Sequence, residues 1–170
     1  MPGKLQKEIH KSNPFDCLEQ EAFLNIIRTA DHVTRAFDDL LKPFNLSGTQ
    51  YNVLRILRGH QEDHAAGRPT ASGNGNPNGI PCKMIGEEMI TRDPDITRLL
   101  DRLESRGLIT RCRDSKDRRV VCTRITQEGL ALLSELDKPV VELHRRQFAH
   151  LSETKLAHLI DLLEQARSPA

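Results

Sequence analysis

Between Leu18 and Leu41, Phe23, Ile26, Ile27, Ala30, Val33, Phe37, Leu40 and Leu41 recur at helical spacing. That stripe predicts one long amphipathic helix, stopped by Pro43. Ser47 then stands as the N-cap of a second helix carrying Tyr51, Val53, Leu54 and Leu57. From Gly59 to Gly79 the pattern disappears. The run is dense in Gly, Asn and Pro, and a long flexible loop is expected there.

The pattern returns at Ile80 with a short helix (Met84, Ile85, Met89) and a sharp turn from Thr91 to Asp93. Asp93 as N-cap, Pro94 at the first helical position and Asp95 in the first turn are expected to start the next helix. Its stripe is Ile96, Leu99, Leu100 and Leu103, and Gly107 ends it. Two β-rich runs, 108–113 and 119–125, flank the polar turn 114–118 and predict a hairpin. Thr126 caps a long helix with Leu130, Leu133, Leu136, Val140 and Leu143, and Pro139 inside it is expected to bend it. Ser152 caps a last helix with Leu156, Leu159, Ile160, Leu162 and Leu163.

The fold class is therefore mainly α with a small β hairpin (α+β). Two short helices joined by a tight turn and followed by a hairpin make a winged helix-turn-helix. In that arrangement the second helix fits the major groove of duplex DNA, where base edges carry the full sequence code. The hairpin tip can reach an adjacent minor groove or the backbone with cations.

Total charge adds little, because the formal net charge of the 170 residues is +1. Its distribution says more. From Arg106 to Arg124 there are seven cations (Arg106, Arg111, Arg113, Lys116, Arg118, Arg119, Arg124) against Asp114 and Asp117, a local excess of +5. Clustering of that kind is a footprint of phosphate binding. There is no Trp, so the core rests on Leu, Ile, Val and Ala. The polar N-terminus lacks the apolar run of a signal peptide, and a cytoplasmic location is expected. Cys17, Cys82, Cys112 and Cys122 fit no CxxC or zinc-finger spacing and are expected to be reduced thiols.

These residues also resemble the MarR family of transcriptional regulators. The run 96–109, ITRLLDRLESRGLI, is similar to that family's recognition helix and its exit. Asp114-Ser115-Lys116-Asp117-Arg118-Arg119 matches its wing signature, D-x-x-D-R-R, and Ile125-Thr126-Gln127-Glu128-Gly129 is similar to the start of its long fifth helix. The resemblance covers most of the chain from about Leu18 onward. It implies DNA contacts from Thr97, Arg98 and Arg102 on the recognition helix and from Lys116, Arg118 and Arg119 on the wing. Arg119 would enter the minor groove and Asp117 would brace the wing. It further implies a polar tail at 1–16, a helical dimerisation domain from 17–46 and 126–167, and a DNA-binding domain at 47–125 with a flexible insertion at 59–79. The expected partners are double-stranded DNA, a second copy of the chain and a small aromatic or phenolic effector. The expected role is a ligand-responsive repressor on a palindromic operator, with no enzymatic activity, membrane span, metal or cofactor. The family's recognition helix usually opens with small hydroxyl residues, where this chain has Pro94-Asp95. Asp95 is expected either to complement the helix dipole or to accept from a cytosine amino group.

Two alternatives keep the fold and change the signal. A redox-responsive regulator needs a reactive thiol, and a branch of the family places one in the first helix. That register falls near Phe23, and Cys17 lies almost two turns earlier, so DNA release is not expected to depend on thiol oxidation. Cys112 and Cys122 flank the wing and could approach each other, although buried thiols in strands are usually inert. A metal-responsive regulator would use His60, Glu62, Asp63 and His64, which this reading places in the polar loop without rigid support. An enzyme is disfavoured by the absence of a Gly-rich phosphate loop, G-x-S-x-G or H-E-x-x-H, and Glu87-Glu88 read as a solvated face.

Overall fold

A computed structural model of the chain describes residues 4–68, 79–91, 95–114 and 117–168. The elements run α1 (Lys4–Glu8), α2 (Leu18–Leu41), a 3-10 turn (Lys42–Phe44), α3 (Gly48–Ala65), β1 (Ile80–Pro81), α4 (Cys82–Glu88), α5 (Ile96–Ser105), β2 (Ile109–Arg113), β3 (Val121–Ile125), α6 (Gln127–Phe148) and α7 (Glu153–Arg167).

Side-chain caps set most of the helix starts. Ser47 and Gln50 form a reciprocal capping box at α3, Thr126 accepts from the Gly129 N–H at α6, and Ser152 accepts from the Lys155 N–H at α7. Gly107, with φ of +70°, takes the left-handed conformation that ends α5, where a side chain would be strained. Helix α6 runs on through Pro139.

Three expectations change. Residues 59–65, read as loop, form the last two turns of α3. Gln61, Glu62 and Ala65 are good helix formers, and His60 Nε2 bonds the Glu88 carboxylate of α4 at 2.8 Å. Those turns extend beyond the core, so they carry no apolar stripe. Second, the cap of α5 is Asp95, whose side chain accepts from the Arg98 N–H at 3.2 Å. Asp93 and Pro94 lie outside the described residues, as do 69–78 of the expected insertion. Third, the hairpin gains a third strand. The sheet order is β1-β3-β2, both pairs antiparallel, with Ile80 opposite Thr123 and Ile109 opposite Ile125.

One core joins the winged lobe to the long helices. Leu54 and Val53 of α3, Ile85 of α4, Leu100 and Leu103 of α5, Ile109 of β2, and Leu133 and Leu136 of α6 are buried together. The start of α6 packs tightly on this lobe, since a Cβ at Gly129 would collide with the Leu108 carbonyl. By contrast α7 buries no residue, and α2 buries only Leu41 at its end.

Candidate nucleic-acid interface

Helix α5 divides cleanly. Leu99, Leu100 and Leu103 face the core, while Thr97, Arg98 and Arg102 are exposed on the opposite side. The inward stripe is what anchors the helix with that face outward. Its first turn is capped by Asp95, so the acid near the helix start is engaged by the backbone N–H of Arg98.

The two acids farther along α5 are held as well. Arg111 of β2 donates from Nε to Glu104 Oε2 at 2.9 Å and from Nη2 to Asp101 Oδ1 at 2.6 Å, and its backbone N–H donates to Glu104 Oε1 at 3.1 Å. The hydrogen bond from Arg111 holds the Glu104 carboxyl below its ordinary range, and Glu104 in turn pushes the Arg111 guanidinium up. This bidentate geometry fixes α5 to the hairpin and offsets the negative charge on that helix. Arg111 and Arg106 belong by sequence to the cationic patch. Arg106 instead donates to the carbonyls of Asn45 and Phe44 at 2.6 and 2.9 Å. Both arginines therefore have structural work, and Arg113, Arg118, Arg119 and Arg124 are the exposed cations of the hairpin. Lys116 lies outside the described residues.

The wing tip is tied by its own acids. Asp114 Oδ1 accepts from the Asp117 N–H, and Asp117 Oδ1 accepts from the Arg119 N–H, both at 3.0 Å. The Val120 N–H donates to the Asp117 carbonyl at 2.9 Å. Asp117 thus bonds the backbone of Arg119. Among the described residues, the exposed side chains of Arg118 and Arg119 make no ion pair.

No motif in the sequence marks an effector site. A cleft of about 990 Å³ opens between α2, α3 and α6 and reaches Ile90 and Thr91, just beyond α4. Phe37 forms its aromatic wall, edge-on to Tyr51 at 5.4 Å and stacked on His144 at 5.8 Å. Burial pushes the Tyr51 phenol up. At the far side Arg58 grips Asp137 with two hydrogen bonds of 2.7 and 2.8 Å, and Arg55 adds a third at 3.2 Å. The hydrogen bond from Arg58 holds the Asp137 carboxyl below its ordinary range. Asn52 Oδ1 accepts from the N–H of Ile90, which is 88% exposed at the cleft mouth. The wall brings Phe37 and Tyr51, on consecutive helices, together with His144 of α6, a grouping that no sequence spacing marks.

Of the residues a metal-responsive regulator would use, His60 bonds Glu88 and Asp63 pairs with Arg68 at 3.0 Å. Among the described residues no group of three or more His, Cys, Asp or Glu has a metal-binding arrangement, and no helix is long and apolar enough to cross a membrane.

Comparison with known proteins agrees with this architecture. The model of the MarR family matches residues 76–121. The homoprotocatechuate degradative operon repressor of Escherichia coli is 32% identical over 129 residues, 76% of each chain. A MarR transcription factor from Planctomyces limnophilus is 39% identical, covers 88% of this chain and 98% of its own, and superposes with a TM-score of 0.62. CouR from Rhodococcus jostii RHA1, solved bound to p-coumaroyl-CoA, is 25% identical over 92% of this chain and 98% of its own, with a TM-score of 0.67. The winged helix, the cationic hairpin and these relatives together place the chain in the MarR family of DNA-binding transcriptional regulators.

Proposed function

We propose that the protein is a ligand-responsive repressor that binds a palindromic operator as a homodimer. The observation that carries this reading is the division of α5: Thr97, Arg98 and Arg102 point away from the protein while Asp95, Asp101 and Glu104 are engaged internally. Thr97, Arg98 and Arg102 read the major groove. Lys116, Arg118 and Arg119 carry the wing to phosphate and the minor groove, where a narrow groove favours arginine. Asp117 braces that wing through the Arg119 backbone.

Residues 47–125 serve as the DNA-binding domain, and 17–46 with 126–167 as the dimerisation domain. In support, Leu18, Phe23, Ile26 and Ile27 of α2 and Ile160 and Leu162 of α7 are all exposed in the single chain. Apolar patches of that extent mark interfaces. A two-fold dimer presents two recognition helices to two half-sites, about one helical turn apart.

The cleft suits a small aromatic or phenolic effector, given its aromatic wall, and CouR is a relative solved bound to p-coumaroyl-CoA. Such a ligand touches both α3 and the Ile90-Thr91 segment that precedes α5 in the chain. It shifts DNA affinity only through unequal binding to two positions of that helix. No cofactor is required.

The test is DNA affinity of Arg98→Ala and Arg102→Ala on a duplex that the protein itself selects. A good base contact is worth about 1–3 kcal/mol, so each change should weaken specific binding about 5- to 150-fold and relax preference at one base pair. Unchanged affinity in both variants, with native folding, would remove α5 as the reading element.

A further inference from the structure

The hairpin that carries the wing also carries a matched pair of thiols. Cys112 of β2 and Cys122 of β3 are direct cross-strand partners. Cross-strand partners point to the same side of the sheet. The third nearby thiol belongs elsewhere: Cys82 Sγ lies 3.7 Å from Thr123 Oγ1, and Thr123 alternates to the face opposite Cys122. Register therefore selects one pair out of three thiols.

The ladder also fixes the spacing. The Thr126 N–H donates to the Leu108 carbonyl and the Asp114 N–H donates to the Val120 carbonyl, at 3.1 and 2.9 Å. Hydrogen-bonded pairs recur every second residue, so Cys112 and Cys122 form one of them, with Cα atoms about 5.5 Å apart. That separation lies within the range a disulfide spans, but the Cβ atoms of such a pair stand near the wide end, about 5.5 Å, and must close to about 3.8 Å. Closing them means changing the local twist of the hairpin. A bond formed under that constraint is easily reduced, as befits a reversible one.

We infer that Cys112 and Cys122 form a reversible redox switch at the base of the wing, responsive to hydroperoxides, in which a disulfide re-aims the tip bearing Arg118 and Arg119. Cys112 is exposed, so a hydroperoxide in solution reaches it, whereas Cys122 is 0% exposed. The Cys112 sulfur attacks the peroxide, the O–O bond breaks, and the alcohol departs with the thiol proton, leaving a sulfenic acid. The Cys122 sulfur then attacks that sulfur; the S–S bond forms, the S–O bond breaks, and hydroxide leaves as water with the Cys122 proton. Two thiols are oxidised by two electrons and one hydroperoxide is reduced to alcohol and water. Asp114 is placed for the second proton, because its Oδ2 accepts from Cys122 Sγ at 3.8 Å. Burial pushes the Cys122 thiol up, which suits the resolving partner rather than the first nucleophile. This inference departs from the expectation that DNA release is independent of thiol oxidation. That expectation rested on the lack of a cysteine near Phe23 and set Cys112 and Cys122 aside as ordinary buried strand thiols, whereas Cys112 is exposed.

Its effect on DNA rests on the wing reading above, whereas the covalent step does not, and two readouts keep them apart. The reduced protein is treated with cumene hydroperoxide, digested and mapped, and affinity for a duplex selected by the reduced protein is measured before and after. The expected result is a Cys112–Cys122 crosslinked peptide, a loss of affinity of about tenfold or more on the scale of one lost wing contact, and full recovery with dithiothreitol. Cys112→Ser, at an exposed position that tolerates change, should fold normally, form no crosslink and keep its affinity; Cys17→Ser and Cys82→Ser should respond like the parent. No 112–122 crosslink, a crosslink with unchanged affinity, or a loss that persists in Cys112→Ser overturns the inference. Failure of the wing reading alone would show separately, as unchanged affinity in reduced Arg119→Ala.

Discussion

Helices α5 and α7 are both amphipathic, and they end up in opposite circumstances. Ten-residue α5 buries three leucines against its own chain, whereas fifteen-residue α7 buries none. An apolar stripe alone therefore does not say what it packs on. In α5 it fixes which residues face outward; in α7, and in the first half of α2, it remains available to a second chain. Stability of the lobe should depend on the first helix, and assembly on the second.

The largest effect expected from that contrast is at Leu103, which is fully buried. Leu103→Ala should cost about 2–5 kcal/mol of folding stability, measured by urea unfolding. A loss below about 0.5 kcal/mol would mean that α5 is not held by its stripe. Next is α7. Ile160→Asp with Leu162→Asp should raise the dimer dissociation constant about thirtyfold or more, the scale of a buried interface anchor, with little change in the helicity of each subunit. Sedimentation reads it, and a parent protein that is monomeric at micromolar concentration would sink the dimer outright.

A smaller effect is expected on the wing. Arg119→Ala should weaken DNA binding by about 1–3 kcal/mol and make its salt dependence shallower by about one unit of slope. Asp117→Ala should act in the same direction by loosening the tip, since Asp117 holds the Arg119 backbone. If Asp117→Ala alone reduces affinity, Arg119 is only a structural part of the hairpin.

How much of this was readable beforehand follows from what each signal depends on. Ser47, Thr126, Ser152 and Gly107 act on their own backbone neighbourhood, and each stands where the sequence placed it. The last turns of α3 were missed because a helix that outruns its core shows no periodicity, and the polar residues there resemble a loop. Asp93 and Asp95 are both good caps two residues apart, so local chemistry could not choose between them. Strand β1 is only two residues long and exists through its pairing with β3. The same holds for the cleft, where Arg58 meets Asp137 across 79 positions, and for Arg111, whose charge looked available until α5 was laid beside β2. Pairings made by tertiary placement leave no spacing to read.

The smallest effect concerns acid. The Asp137 and Glu104 carboxyls are both held below their ordinary values, by Arg58 and Arg111 respectively. Groups depressed on folding add stability that is present above their unfolded pKa and is lost as pH falls through the folded value. Stability should thus begin to fall below the ordinary values of 4.5 for Glu104 and 3.8 for Asp137. Asp137→Asn should remove part of that acid dependence while leaving the neutral-pH fold intact, as read by unfolding curves between about pH 3 and 7. An identical acid profile would show that the α3–α6 pair adds nothing to folding.

The central claim is that two copies of α5 read two half-sites of one duplex. Selecting bound sequences from a random pool of duplex DNA tests it directly. The expected result is enrichment of an inverted repeat whose half-site centres lie about 10 base pairs apart, with A·T-rich flanks where the wings fall. Enrichment of a single unrepeated motif, or of no sequence at all, would contradict it.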